Sequence, residues 1–256
     1  MLMNILVLIK QVPDTETNIR LSGDKIDEAS IKWIISPYDE IALEEAIRTR
    51  EKHGGTVTVC SLGPDRVVSA LRTAYAMGAD SAIHIKADAV HMLDAAVTAE
   101  AIVKAVGDRN YDLIIAGRQG IDSDQGLVPT MFAQRLGIGS VIWVKSLEIS
   151  DRKVTAVCEA EGGEATYEAE LPVLITTQMG MNEPRYPSLK GIMASKKKPV
   201  ETIALEDLGV ASESSIEVLG FELPPARPEG RVIEGGDAAA KAAELVKALH
   251  EEIKVI

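Results

Sequence analysis

The first half of the chain alternates short apolar runs with longer stretches of helical periodicity. The apolar runs cover residues 5–9, 56–61, 82–85 and 113–116. Between and after them, apolar residues recur at helical spacing around residues 36–53, 65–78, 95–106 and 126–136. Such alternation is typical of a mostly parallel sheet whose strands are joined by crossover helices. We therefore predict an α/β fold.

The first predicted helix has clear signals at both ends. Ser36 can cap it, Pro37 fits the first helical position, and Asp39 completes a capping box. Lysine and histidine at positions 52 and 53 precede two glycines, as the C-terminus of a helix favours. We expect this helix to end near His53.

The second half of the chain has a different pattern. Residues 141–144, 154–159 and 165–170 indicate antiparallel strands, and residues 172–176 form one more apolar run. Periodicity is lost after Asn182, and residues 223–236 are rich in proline, glycine and charge. The sequence predicts a Rossmann-like, mostly parallel sheet with flanking helices, a small antiparallel extension, and a C-terminal arm ending in a helix.

Composition narrows the class of protein. The formal net charge of −12 argues against nucleic-acid binding, which needs clustered basic surface. Cys60 and Cys158 lie far apart within apolar stretches, which favours buried thiols over a metal site or a disulfide. The apolar run near the N-terminus is too short to span a bilayer and has no basic leader. We expect a cytoplasmic protein without membrane insertion.

The loop after the fourth apolar run is the best candidate for a binding site. Residues 117–124 lie between a predicted strand and a predicted helix, and they include Gly117 and Gly120. In open α/β sheets ligands bind beyond the carboxyl ends of the strands, where a helix N-terminus offers free amides to a phosphate. The loop matches neither the GxGxxG pattern nor the GxxxxGK phosphate loop. A capped loop without a ligand is the alternative.

Three further turns, at residues 12–14, 36–39 and 62–64, are predicted at the same edge of the sheet. Together with the glycine loop they outline a pocket for an adenine nucleotide. The four histidines, at positions 53, 84, 91 and 250, have no spacing typical of a metal site or of a nucleophile and its base. We expect no catalytic residue and no metal.

The segment at residues 182–199 does not have the residue pattern of an ordinary core element. Two prolines keep its start extended, three lysines load its end, and Leu189, Ile192 and Met193 stand between polar neighbours. An apolar anchor ringed by positive charge suits docking onto an acidic partner. A solvated loop with a basic stripe is the alternative interpretation.

Several stretches resemble the beta subunits of electron transfer flavoproteins. The most specific is NEPRYPSLKGIMASKKKP, which occupies residues 182–199. The others agree in order and spacing, and they are NILVLIKQVPDT, SPYDEIALEEAIR, SLGPDRVVSALRTAYAMGAD and IIAGRQGIDSDQG. The resemblance covers nearly the whole chain and is weakest between residues 212 and 236.

This resemblance implies an electron carrier subunit rather than an enzyme. It implies a heterodimer in which a larger alpha subunit holds most of a redox-active FAD, while the beta subunit completes the FAD site and binds AMP structurally. Electrons would come from acyl-CoA dehydrogenases, as in fatty acid β-oxidation, or from related flavoenzymes. They would leave toward a quinone oxidoreductase or another acceptor.

The resemblance also implies a fold like that of the adenine nucleotide alpha hydrolases. Residues 1–200 would form the nucleotide-binding domain, with the antiparallel extension and a partner-recognition loop at 182–199. Residues 201–256 would form an arm and a helix that pack on the alpha subunit.

The family's functional positions can be placed on this sequence. The cofactor-binding positions correspond to Ile9, Ser36, Pro37, Tyr38, Asp39, Leu62, Gly63, Gly117, Gln119, Gly120, Asp122, Ser123, Asp124, Gln125, Gly126, Leu127 and Val128. Among these, Tyr38 takes the place of an aromatic that reaches toward the flavin. The partner-recognition positions correspond to Leu189, Ile192, Met193, Lys196 and Lys197.

The phosphate loop departs from a common family pattern. Many members read like DxDxxQxG with a threonine nearby, whereas Asp122-Ser123-Asp124 is followed here by Gln125-Gly126-Leu127-Val128-Pro129-Thr130. Backbone amides of residues 126–128 would then hold the phosphate. Two alternatives stay open: a bifurcating subunit whose second FAD oxidises NADH, and a nucleotide-binding module of the universal-stress type. The intact NEPR stretch favours the AMP-binding type.

Overall fold

The structure is a computed structural model that describes residues 2–210, 214–227 and 229–256. Parts of the predicted arm, at residues 211–213 and 228, lie outside the described residues. The chain forms two compact units, Met1–Gly220 and Phe221–Ile256.

The secondary structure follows the predicted alternation. The strands are β1 (Met3–Leu8), β2 (Gln11–Pro13), β3 (Leu21–Ser22), β4 (Lys25–Ile26), β5 (Trp33–Ile35), β6 (Gly55–Gly63), β7 (Ser81–Lys86), β8 (Leu113–Gly117), β9 (Gly139–Ser150), β10 (Lys153–Ala160), β11 (Gly163–Glu170), β12 (Val173–Thr177) and β13 (Glu201–Ala204). The α-helices are α1 (Pro37–His53), α2 (Val68–Met77), α3 (Ala95–Val106), α4 (Val128–Leu136), α5 (Leu189–Ser195) and α6 (Ala238–Lys247).

The main sheet has nine strands in the order β11-β10-β9-β12-β8-β1-β6-β7-β13. Neighbouring strands pair in parallel throughout the run β9-β12-β8-β1-β6-β7-β13. Only β10 runs against its neighbours β9 and β11. The predicted α/β fold, a mostly parallel sheet with an antiparallel extension, is confirmed.

The two faces of the sheet carry separate apolar cores. Helices α1 and α2 cover one face, with Leu43, Ile47 and Leu71 fully buried against β1 and β6. Helices α3 and α4 cover the other face, where Ile102 and Phe132 are among the buried side chains. Aliphatic residues dominate both cores, since the strands are buried on both sides and read as continuous apolar runs.

The start of α1 differs from the prediction. Ser36 precedes the helix, but its side chain makes no capping hydrogen bond, and the predicted capping box is wrong. The Asp39 carboxylate instead accepts hydrogen bonds from the backbone N–H groups of Lys10 and Gly117, which follow β1 and end β8. The carboxylate therefore ties the helix to two strand ends.

The first unit continues past residue 200. Strand β13 extends the sheet by pairing with β7, with Glu201 opposite Ile83. The first unit therefore reaches Gly220. A strand of four residues at the sheet's edge has too short a pattern to be recognised from sequence.

The second unit contains α6 and a π-helical turn, Ala248–Ile253. Asp237 caps α6 by accepting a hydrogen bond from the Ala240 amide, 2.9 Å away. Arg231 pairs with Glu244 and Glu252 at 3.1 and 3.0 Å. None of the α6 side chains is buried. Within the described ranges, no helix is long and apolar enough to cross a membrane.

Candidate functional site

A cleft lies at the carboxyl edge of the sheet, where the order of strands reverses. From β1 the chain proceeds to β6 and β7 on one side, and it later adds β8 and β12 on the other. In open α/β folds the connections diverge at this point and leave a crevice. The cleft encloses about 700 Å³, including space open to solvent.

The cleft draws its lining from several distant segments of the chain. It is lined by Leu8, Ile9, Lys10, Asp39, Cys60, Ser61, Leu62, Met92, Thr98, Ile102, Ala116, Gly117, Gln119, Gly120, Ser123, Gln125, Gly126, Leu127, Val128 and Pro129. Leu8, Cys60, Leu62, Ile102 and Ala116 belong to the core beneath α3 and α4, so one side of the cleft is apolar. The loop at residues 119–126 supplies three of the polar side chains, those of Gln119, Ser123 and Gln125.

Asp39 is the buried charge of the cleft, with 6% of its surface exposed. Its Oδ2 accepts a hydrogen bond of 2.7 Å from the Lys10 amide, and its Oδ1 accepts one of 2.9 Å from the Gly117 amide. Burial raises the pKa of Asp39 to about 7, although these two hydrogen bonds oppose the rise. The charge of the cleft therefore changes near neutral pH.

The glycine loop is packed closely against the start of α1. A Cβ at Gly117 would lie 2.3 Å from Asp39 Oδ1 and 2.7 Å from the carbonyl carbon of Tyr38, so only glycine fits. Ser36 Oγ donates a hydrogen bond of 3.3 Å to the Gln119 carbonyl. Gly117 therefore allows close contact between this loop and the protein's own helix α1.

Lys10 provides the cation at the mouth of the cleft. Its Nζ lies 2.8 Å from Asp122 and 3.4 Å from Ser123 Oγ. Gln119 is bonded to Asp124 at 2.7 Å, and Gln125 donates to the Leu93 carbonyl at 3.2 Å. These contacts hold the loop in place, and they leave Lys10 and the hydroxyl of Ser123 at the rim.

The N-terminus of α4 opens into the cleft without a side-chain cap. Pro129 has no N–H, so the amides of Val128 and Thr130 are the donors of the first turn. Gly126, with φ +61°, lets the loop turn into the helix. An uncapped helix N-terminus with a nearby lysine suits the phosphate of a nucleotide whose base lies against the apolar wall.

The structure brings together most of the cofactor-binding residues predicted from sequence. The cleft is lined by Ile9, Asp39, Leu62, Gly117, Gln119, Gly120, Ser123, Gln125, Gly126, Leu127 and Val128. Outside the lining are Ser36, Pro37, Tyr38, Gly63, Asp122 and Asp124, although Ser36, Asp122 and Asp124 bond to residues that form it.

Sequence reasoning missed Lys10, Cys60, Met92, Thr98 and Ile102, which also line the cleft. The position of Lys10 directly after a strand was a usable signal. Thr98 and Ile102 in α3 gave no such signal, because their spacing is that of one face of a core helix. Burial raises the pKa of the Cys60 thiol to about 12, so it stays protonated.

Comparison with known proteins identifies the family. The electron transfer flavoprotein domain matches residues 24–208. An electron transfer flavoprotein subunit beta of Bacillus subtilis is 40% identical over 258 residues, covering 99% of this chain and 100% of the relative. The chain belongs to the beta-subunit family of electron transfer flavoproteins. A beta subunit of Syntrophomonas wolfei is 42% identical, with 96% of each chain covered. A mitochondrial beta subunit of Arabidopsis thaliana is 36% identical, with 99% and 100% covered.

The family resemblance at residues 182–199 coincides with a segment clamped onto α1. Arg185 forms a two-pronged contact with Glu44, at 2.8 and 3.1 Å, and another with Glu51, at 2.6 and 3.1 Å. Burial disfavours the charge of Glu44, but hydrogen bonds from Arg185 and Arg48 outweigh burial and lower the pKa of Glu44. Asn182 donates to the Ile41 carbonyl at 3.1 Å.

The end of this segment is held by α2. A Cβ at Gly191 would lie 2.4 Å from the Ala76 carbonyl oxygen, so α5 lies directly on α2. Arg72 donates to the carbonyls of Ser195 and Lys198. The apolar residues predicted for partner recognition point outward and are exposed: Leu189 by 82%, Ile192 by 40% and Met193 by 72%.

In the part of the chain that the structure describes, no group of three or more histidine, cysteine or acidic side chains could hold a metal ion. The cleft lining includes one thiol, that of Cys60, which is protonated. The lining supplies hydrogen bonds, apolar contact and charge.

Proposed function

We propose that this chain works as the beta subunit of a heterodimeric electron transfer flavoprotein and binds AMP in the cleft as a structural ligand. Electrons arrive from acyl-CoA dehydrogenases or related flavoenzymes and leave toward a quinone oxidoreductase or another acceptor. The uncapped N-terminus of α4, which opens into a cleft with an apolar wall, is the observation that carries the nucleotide proposal.

In this proposal the chain binds AMP and helps to position the flavin, while FAD, when bound, stores the electrons. The adenine packs against the apolar side of the cleft at Leu62 and Ile102. The amides at the start of α4, together with Lys10, bind the phosphate. Tyr38, half-buried at the start of α1, faces the flavin held by the alpha subunit and completes its site.

Two surfaces are proposed for partners. Leu189, Met193 and the exposed lysines 196 and 197 form the docking surface for the electron donor. The second unit packs on the alpha subunit, which would cover Leu245 and Val246, now exposed by 49% and 54%. Exposed apolar side chains of this kind mark interaction surfaces when they cluster.

The test is to co-express this chain with an alpha-type subunit, denature the purified complex, and quantify FAD and AMP by chromatography. We expect about one FAD and one AMP per heterodimer. Two FAD and no AMP would make the protein the bifurcating type, with NADH as the next donor to test. A complex without flavin would favour the universal-stress type of module.

A matched pair of variants links the AMP to the cleft. Ala116→Leu adds three carbons to the cleft wall, and we expect it to lose AMP while FAD is retained. Ala133→Leu adds the same atoms to the same buried core outside the cleft lining. Equal AMP content in the two variants would place the nucleotide elsewhere.

A further inference from the structure

A second group of side chains lies beside the cleft at the same edge of the sheet. Arg118 follows β8, and its guanidinium lies 4.4 Å above the ring centroid of Trp143 in β9. Its Nη1 is 3.5 Å from Gln178 Oε1, the outer limit for a hydrogen bond. Its Nε is buried without an acceptor, and within the described residues no carboxylate pairs with Arg118. Burying an unpaired cationic donor is costly, so the position calls for an anionic partner.

Trp143 is held beneath this guanidinium by an irregularity in β9. The pairing of β9 with β12 passes from Val141 opposite Ile175 to Val144 opposite Thr177, so residues 142 and 143 face Thr176 alone. This is a β-bulge, which re-aims a side chain. Trp143 has φ +61°, an uncommon value for a bulky residue, and its amide donates to Thr176 Oγ1 at 2.9 Å. Strain of this kind is concentrated at functional sites.

The pair lies near exposed apolar groups and next to the start of α1. Trp143 is 42% exposed, and Met179 is 56% exposed. Thr177 Oγ1, one residue from Gln178, donates to the Tyr38 carbonyl at 3.0 Å. The surface therefore combines an aromatic ring, an unpaired cation and an apolar rim beside Tyr38. A planar ring system with a negative charge fits it, whereas an isolated phosphate would gain nothing from the apolar rim.

We infer that Arg118 and Trp143 form a shelf that contacts the flavin of the alpha subunit and stabilises its reduced, negatively charged form. This inference rests on the proposed function, because it requires the FAD-bearing partner. Oxidised flavin is neutral, so the unpaired guanidinium distinguishes the two forms by charge. Arg118 acts here through its charge, and Trp143 fixes the guanidinium plane by stacking.

The decisive experiment is a redox titration of the bound flavin in the heterodimer. Arg118→Gln should lower the ratio of reduced to oxidised flavin about tenfold at a fixed potential, which is 59 mV for a one-electron step. Arg118→Lys keeps the charge and should retain most of that ratio. Arg109→Gln is the control, since Arg109 lies at the opposite edge of the sheet and is paired with Glu201. A titration curve of Arg118→Gln that coincides with the unmodified protein, with FAD retained, overturns the shelf.

A second measurement does not depend on altering Arg118. In a Trp33→Phe background Trp143 is the only tryptophan of this chain. Labelled with 5-fluorotryptophan and reconstituted with the FAD-bearing alpha subunit, Trp143 should shift its ¹⁹F resonance when the flavin is reduced. An unmoved resonance contradicts the inference. Absence of FAD from the unmodified heterodimer would instead count against the proposed function, so the two failures are distinguishable.

Discussion

Asp39 is the residue through which pH acts on the cleft. Its carboxylate is held by the amides of Lys10 and Gly117, yet burial raises its pKa to about 7. Below pH 7 the side chain is mostly neutral, and above it the side chain is negative. A nucleotide phosphate in the same cleft is repelled only by the ionised form, so affinity for AMP should fall as the pH rises through 7.

The size of this effect can be measured by calorimetry at pH 6 and pH 8. We expect the dissociation constant of AMP to rise by about three- to tenfold, as one partly screened charge would produce. Asp39→Asn cannot ionise and should lose this part of the dependence. The phosphate's own titration is common to both proteins, and adenosine, which has no phosphate, serves as the control ligand. The same pH dependence in both proteins would exclude Asp39 as its source.

Asp94 has the opposite shift and bears on stability. Burial alone would raise its pKa, but hydrogen bonds from Ser215, Ser214 and the Val97 amide outweigh burial and lower it to about 2. Its unfolded-state pKa is near 3.9. The carboxylate therefore stabilises the fold above pH 4, and this stabilisation is lost as the pH falls from about 4 to 2.

Replacing Asp94 tests this directly. Asp94→Asn should lower the free energy of unfolding by about 2 kcal/mol at pH 7, because a charged acceptor of several hydrogen bonds is lost. It should also flatten the acid dependence below pH 4. Asp88→Asn is the matched control, since Asp88 precedes a short 3₁₀ turn without capping it. Urea unfolding at pH 7 and pH 3 measures both effects, and equal losses in the two variants would contradict the assignment.

At the scale of elements, helix α5 carries the proposed docking surface. Leu189 is 82% exposed at its start, so its side chain contributes little to folding. Leu189→Ala should raise the KM for the dehydrogenase about tenfold or more, as truncation of a binding hot spot does, with FAD content unchanged. Leu219→Ala is the control, because Leu219 is similarly exposed, at 87%, and lies outside residues 182–199. Steady-state electron transfer with unaltered KM would remove Leu189 from the docking surface.

The seat of α5 on α2 can be tested at Gly191. A Cβ there would lie 2.4 Å from backbone oxygen of Ala76, so Gly191→Ala must displace α5 even though alanine favours helix. We expect a higher KM for the dehydrogenase and an unchanged FAD content. Gly163→Ala is the control, since a Cβ at Gly163 meets open space. Normal kinetics in Gly191→Ala would show that docking tolerates a shifted helix.

Elements with a long regular pattern could be predicted from sequence, and short ones could not. The strands and helices of the α/β alternation carry whole faces of apolar residues, such as Leu43 and Ile47 in α1. Helix α5 has seven residues and β13 has four, so each is too short for its periodicity to stand out in the sequence. The predicted capping box is wrong because the Asp39 carboxylate accepts hydrogen bonds from the amides of Lys10 and Gly117. These amides are distant from Asp39 in sequence and come near it only in the fold.

Some parts of the candidate site could likewise be predicted from sequence, and others could not. The glycine loop could be predicted because strand, glycines and helix are consecutive in sequence. Ile102 and Cys60 could not, because the strand order brings them to the cleft while each reads as ordinary core. The contact of Arg118 with Trp143 depends on a bulge that leaves no mark in the residue pattern.

At the scale of the whole molecule, α1 connects the cleft with the segment at residues 182–199. Its first turn carries Asp39, which lines the cleft. Its middle and end carry Glu44 and Glu51, which hold Arg185. Both proposed surfaces of the first unit are therefore built on one helix, and residues more than 130 apart in sequence are fixed relative to each other through it.

The second unit is a separate compact unit held by its own internal contacts, and it buries none of the α6 side chains. Leu245, Val246 and Ile253 are exposed by 49%, 54% and 61%. A helix with exposed apolar groups needs a partner, and we propose the alpha subunit for that role. Ending the chain at Gly220 should therefore abolish the heterodimer while the first unit still unfolds cooperatively.

Size-exclusion chromatography of the co-expressed chains measures the assembly, and circular dichroism during heating measures the fold. The double variant Leu245→Ser and Val246→Ser keeps the chain length and should weaken assembly in the same direction. Glu222→Gln and Glu229→Gln, exposed changes in the same unit, should leave assembly intact. If the chain ending at Gly220 still binds the alpha subunit with full FAD content, the first unit alone carries the subunit interface, and α6 serves another purpose.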